Sequence, residues 1–209
     1  MSSSVRLVLP YVSQLGPSAG YGSGDSGVAT VTSLVRAVAG TAHSVDDVAR
    51  AAGLPPKFTS VSIHKLRQAA AAYGIKLSAT RKVSRELVEK ELLRDQPVIL
   101  QVAYARLPQR YDPLYSGDHF VLVHGMDEDA FYYDDPYYPN ATGADLGIAK
   151  EGLMQAVYAL SNVGSGPAQA LRCRSHTFDR YDPTARGLDA LDESRTLALQ
   201  GFTLSGTVT

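Results

Sequence analysis

Tyr21-Gly22-Ser23-Gly24-Asp25-Ser26-Gly27-Val28-Ala29 is the stretch on which the rest of the chain turns. Turn-prone residues lead into Ser26, and the apolar run over residues 28–38 reads as a helix. A small nucleophilic side chain in the first turn of a buried helix lies near the positive end of the helix dipole and its unpaired N–H groups. Acyl-transfer chemistry places nucleophiles there. The alternative is that Asp25 or Ser26 is simply an N-cap, a position both residue types suit. On these nine residues both readings stand.

Working outward, 209 residues make one generous domain or one domain with an appendage. The expected division is a catalytic-type domain over 1–175 and a polar extension over 176–209, where an alternating run at 195–204 reads as an added edge strand. A net charge of −1 gives no reason to expect nucleic acid or an anionic membrane as partner. The single cysteine, Cys173, excludes an internal disulfide framework and a multi-cysteine zinc site, and it reads as a buried structural thiol. No cofactor or metal is implied. The acidic residues at 127–129 and 134–135 lack the loop spacing of a calcium site and read as a solvated turn. No apolar run reaches membrane-spanning length, and the first residues lack a secretory pattern, so the expectation is a chain that is cytoplasmic at synthesis.

The first half reads as helical. A short apolar strand over residues 6–12 precedes the Gly/Ser/Pro loop, and the helix after Ser26 ends near Gly40. Ser44 with Asp47 forms a capping-box pattern, Ser62 opens an Ala-rich helix that stops at Gly74, residues 75–79 alternate like a strand, and Ser84 opens another helix. The second half changes period. Residues 96–104, 119–126 and 130–136 read as strands with a hairpin turn at 127–129, residues 150–160 as a helix and 170–173 as a last core strand. Helices followed by antiparallel strands argue for an α+β fold.

Gly24-Asp25-Ser26-Gly27 invites a serine-hydrolase label, but the nucleophile comes first here and a helix follows a loop. The trypsin-like order, the Gly-x-Ser-x-Gly elbow and the Gly-Asp-Ser lipase pattern all fit poorly. The order nucleophile, His, Asp fits better. His119 opens an apolar strand, Asp135 closes the next before Pro136, and the hairpin turn sets the two roughly opposite each other. A carboxylate there fixes the imidazole tautomer and leaves the other ring nitrogen for the nucleophile. His124, five residues along the strand, is expected on the opposite face with no obvious partner. Gln14, 12 residues before Ser26, offers an amide donor for an oxyanion. Of Tyr104, Tyr111, Tyr115, Tyr132, Tyr133, Tyr137 and Tyr138, about half are expected in the sheet; Tyr115, Tyr137 and Tyr138 are the best groove candidates, with Gly24, Asp25 and Asp118.

Taken together, these residues resemble the papain-like cysteine peptidases, and within them the bacteriocin-processing, double-glycine peptidase domain and its free-standing relatives. The resemblance rests on residues 10–14 (Pro-Tyr-Val-Ser-Gln), Asp25-Ser26-Gly27-x-Ala29, Tyr73-Gly74-Ile75, residues 96–99 (Gln-Pro-Val-Ile), residues 118–125 (Asp-His-Phe-Val-Leu-Val-His-Gly) and Asp134-Asp135-Pro136, spanning residues 6–160. It implies a papain-like α+β fold, with Ser26 at the nucleophile position, His119 as general base, Asp135 as orienting acid and Gln14 in the oxyanion hole. The implied partner is a peptide or protein, with a peptidoglycan peptide as one option.

The departure from the family is Ser26 where it has cysteine. A thiol is readily lowered to a thiolate beside histidine and a helix N-terminus, whereas a hydroxyl must be deprotonated during attack. In a site shaped around sulfur the exchange is expected to approach the ~10⁶-fold cost of losing a nucleophile. An engineered, inactivating Cys→Ser change is favoured because Gln14, His119 and Asp135 remain. The alternatives are a naturally inactive pseudopeptidase that binds peptide or cell wall, or the peptidase domain of a phage lysin.

Overall fold

The computed structural model describes residues 4–15, 25–39, 43–55, 60–162 and 167–182. Helix α1 (Ser26–Ala39) is the central element. Its residues from Ser26 to Val35 are all buried, so it is covered on every side. Its hydroxyls are satisfied within the fold. Thr30 donates to Gly27 O and Thr32 to Val28 O, both at 2.8 Å, and Ser33 donates to Pro10 O at 2.6 Å. Three further helices follow their caps. Ser44 and Asp47 close a capping box on α2 (Val45–Ala51), Ser62 caps α3 (Ile63–Ala72) and Ser84 caps α4 (Arg85–Leu92).

Seven strands form one antiparallel sheet among the described residues. They are β1 (Val5–Arg6), β2 (Leu77–Thr80), β3 (Val98–Ala103), β4 (Asp118–Met126), β5 (Ala130–Asp134), β6 (Leu146–Ala149) and β7 (Ala170–Cys173). The order is β2-β7-β3-β4-β5-β6, with β1 also pairing β4. Strand β4 is buried from His119 to Met126, which is why it reads as one apolar run rather than an alternation. Helix α1 packs against β4, and α5 (Lys150–Tyr158) packs against β3. The core is therefore continuous between the helical half and the sheet.

Two expectations need correction and a third is narrowed. The strand expected over residues 6–12 is only Val5–Arg6: Leu7 N–H still bonds His124 O of β4 at 2.9 Å, but Val8 N–H turns to Asp179 O at 2.9 Å beside the Leu7–Arg180 bridge, and Pro10 offers no N–H. Strand β6 was not anticipated; four residues containing Gly147 carry too little pattern. The hairpin register falls at the edge of the expected range: the ladder pairs Leu122 with Asp134 and Val123 with Tyr133, with a bulge between Val123 and Gly125, and carried one step past β5 it sets Asp135 across from Val121, diagonal to His119 rather than opposite it. Residues 176–182 pack against the domain, Phe178 being buried and Tyr181 donating to Arg6 O at 2.7 Å. The strand expected at 195–204 lies outside the described residues.

After β5 the chain folds back tightly. Asp135 N–H donates to Gly143 O at 2.8 Å, and a Cβ on Gly143 would stand 2.4 Å from Asp135 O and 2.7 Å from the Tyr11 hydroxyl. Only glycine fits there. Gly143→Ala is expected to destabilise the chain by about 1–3 kcal/mol, read as a lower urea midpoint. Gly147→Ala, whose nearest neighbour is a Tyr132 ring atom at 3.4 Å, should stay close to neutral.

Candidate active site

Asp25 and Ser26 divide the two readings of the opening stretch. Asp25 is the cap: its Oδ1 accepts from Val28 N–H at 3.1 Å, and its backbone O accepts from Ala29 N–H at 3.2 Å. Ser26 is then the first helical residue, and its hydroxyl is free of capping duty. Instead, Ser26 Oγ accepts the backbone N–H of Phe120 at 2.9 Å. The sheet explains why that N–H is available. Gln101 N–H is turned to Gln169 O, so Gln101 and Phe120 form a non-hydrogen-bonded pair, and Phe120 N–H points to the β5 side. Strand β5 has already ended at Asp134. A buried amide without a ladder partner meets the first residue of α1.

One residue before Phe120, His119 Nε2 lies 2.6 Å from Asp135 Oδ1, with both side chains almost wholly buried. Asp135 Oδ1 also accepts Tyr137 N–H at 2.9 Å. A carboxylate on Nε2 sets the proton there and leaves the Nδ1 lone pair for proton exchange. Gln14 is brought to the same place by backbone. Its N–H donates to Pro136 O at 2.8 Å, Ser13 Oγ donates to Tyr138 O at 2.6 Å, and the Tyr11 hydroxyl sits 2.9 Å from Asp135 O and 2.8 Å from Tyr138 O. Gln14 is buried, and its Oε1 has no partner among the described residues. A surface glutamine would be neither.

The remaining residues spread around this centre. Asp118 is on the exposed rim, its carboxylate accepting from Gln101 Nε2 at 2.7 Å. The Tyr115 hydroxyl donates to Asp118 O at 2.8 Å, and the Tyr137 ring lies 5.9 Å from the His119 ring. Gly24 lies outside the described residues. Tyr104, one of the seven tyrosines named from the sequence but not among the best groove candidates, is fully buried and meets the His119 ring edge-on at 4.9 Å. Tyr132 and Tyr133 lie on β5 as sheet residues, the former bonded to Asp127 and the latter fully buried. His124 corrects its expectation. Its Nε2 lies 3.2 Å from Asp134 Oδ1 and 3.7 Å from Asp145 Oδ1, within ion-pair distance but without hydrogen-bond geometry, on the opposite side of the pleat from the His119 pair. The Phe120 amide and the Tyr11 clamp were missed. A backbone donor has no sequence signal, whereas Tyr11 lies inside the quoted 10–14 motif.

An α+β domain that bonds the first residue of its central helix to the strand carrying a buried His–Asp pair, on an antiparallel sheet, has the papain-like fold. The chain belongs to the Peptidase_C39 like family, which matches residues 8–163. Three solved structures are similar. A C39-like peptidase from Bacillus anthracis is 20% identical, with a TM-score of 0.54 over 84% of this chain and 99% of that one. A double-glycine-motif protease from an AMS/PCAT transporter, solved with its leader peptide, is 16% identical with a TM-score of 0.51 over 81% and 96%. The peptidase domain of Streptococcus ComA, a bifunctional ABC transporter, is 16% identical with a TM-score of 0.50 over 81% and 98%. These likenesses establish the fold. No curated protein matches the chain. Among the described residues, no helix is long and apolar enough to cross a membrane.

Asp25 carries an electrostatic consequence. Burial pushes its carboxyl up to about 6, against the opposing pull of backbone N–H groups and the nearby His119. Its proton is held more tightly in the folded chain than in the unfolded one, so stability gained at low pH is lost as pH rises from about 4 through about 6. Asp25→Asn keeps a capping oxygen but cannot titrate. Denaturant melts should show its stability relative to the parent improving by on the order of 3 kcal/mol between pH 4 and pH 7.

Proposed function

We propose that this chain is a cysteine-peptidase-type hydrolase of peptide bonds whose nucleophile position is held by Ser26, an inactivating replacement of cysteine. The observation that carries the reading is the Phe120 N–H bond to Ser26 Oγ, one residue from the buried His119–Asp135 pair. Position 26 is thus bonded to the residue next to His119, whose Nδ1 Asp135 leaves free. The bond also aims a buried amide at the reacting atom, where an anion accepts a stronger hydrogen bond than a neutral group does.

With sulfur at position 26, the thiol passes its proton to His119 Nδ1, and the α1 N-terminus and Phe120 N–H stabilise the thiolate. Sulfur attacks the scissile carbonyl. The Gln14 amide and the backbone N–H of residue 26 receive the oxyanion. His119 then protonates the departing amine, and a water molecule, deprotonated by His119, releases the acyl group and restores the thiol. Asp135 keeps the imidazole oriented throughout. The substrate is a peptide or protein segment; the similar transporter protease was solved with a leader peptide, which supports peptide binding in a fold of this kind. The serine form keeps this site and turns over very slowly, because its hydroxyl has no route to prior ionisation.

Ser26→Cys is the test. Labelling with a thiol-directed electrophile should proceed well below pH 8.5, the ordinary thiol range, with cleavage of peptide mixtures in the same pH window. Adding His119→Ala should return labelling to that of an ordinary thiol and stop cleavage. A cysteine form that binds peptides but labels only above about pH 8.5 would replace this reading with a non-catalytic peptide- or wall-binding module.

A further inference from the structure

We propose that the tyrosine wall flanking His119 is a subsite for an aromatic or large aliphatic side chain on the residue immediately after the scissile bond. This rests on the peptidase reading above, because the imidazole that protonates the departing amine must have the leaving segment beside it. The flank of that imidazole is aromatic. Tyr104 meets the His119 ring at 4.9 Å and Tyr137 at 5.9 Å. Tyr115 and Tyr111 pack on Tyr137 at 5.6 and 6.0 Å, extending the wall outward along the loop between β3 and β4.

The outer part of the wall is open to solvent. Leu114 is 91% exposed, Tyr111 50% and Tyr115 38%, three large apolar groups within five residues of the loop that carries the wall. The loop that presents them is held in place. The Tyr104 hydroxyl accepts Tyr111 N–H at 2.8 Å, Leu114 N–H donates to Asp112 Oδ1 at 2.9 Å, and the Tyr115 hydroxyl donates to Asp118 O at 2.8 Å. The Tyr137 hydroxyl lies 3.3 Å from Asp112 Oδ2. Three phenol groups thus have their polar ends occupied inside the loop, and what remains for a substrate is ring face and edge. Such a surface selects an apolar side chain. The carboxylates of Asp112 and Asp118 at its margins disfavour an acidic one.

The experiment uses the full chain carrying Ser26→Cys, a randomised peptide mixture, and product sequencing that reads the residue after each cut bond. Phe, Tyr, Leu or Met should exceed Gly and Asp at that position by at least about tenfold in kcat/KM. Tyr115→Ala and Leu114→Ala should each reduce that preference severalfold. Leu114 is so exposed that its replacement does not threaten folding, and Tyr158→Ala, an exposed tyrosine on α5, should leave the preference intact. Cleavage with no preference at this position, a preference untouched by both variants, or a reactive thiol that cuts no peptide would overturn the subsite while leaving the nucleophile in place. An unreactive thiol would instead overturn the peptidase reading, and the subsite with it.

Discussion

A single unpaired backbone amide organises this molecule. Strand β4 continues past the end of β5, so Phe120 N–H has no ladder partner on that side. A buried N–H left open costs about as much as a lost hydrogen bond. Ser26 Oγ fills it at 2.9 Å, and this bond ties the N-terminus of the central helix to the strand that carries His119. The helix then needs another residue to cap it, and Asp25 does so. Division of labour between two adjacent polar residues is what leaves the position-26 side chain available for chemistry.

The second constraint is the buried carboxylate of Asp135. Its charge is out of water, and the chain surrounds it with a histidine, the Tyr137 amide and the turn back through Gly143. The same turn receives the N-terminal segment, since Tyr11, Ser13 and Gln14 all bond to carbonyls between Asp135 and Tyr138. Burial and the Asp135 charge both raise the Tyr11 hydroxyl, which therefore stays a neutral donor. Two segments separated by more than a hundred residues are thus locked in one register. The glutamine is positioned by the backbone that positions the acid.

Much of this was legible in the chain. The serines at 44, 62 and 84 mark helix starts because an N-cap is a local interaction, complete within four residues. The glycines at 53 and 74 end helices at positive φ for the same local reason. His119 and Asp135 could be paired because a hairpin turn with alternating strands carries register information. The turn leaves the exact setting open by a residue or two, and the ladder takes the one that puts Asp135 diagonal to His119. Strand β6 stayed hidden because four residues do not establish a period.

By itself, then, the sequence determined the helix boundaries, the α+β order, and the residue types for an acyl-transfer site in the order nucleophile, histidine, aspartate, with a glutamine upstream. Those are properties of local capping, periodicity and residue chemistry. Only the tertiary structure decided that Asp25 caps α1 while Ser26 reaches across to Phe120, that Tyr104 and Tyr137 flank the imidazole, and that Tyr11 clamps Gln14 to the Asp135 turn. Each of these depends on a backbone group or a ring meeting a residue distant in the chain. Such meetings arise from where β5 stops and how the sheet stacks on α1, not from any short run of residues.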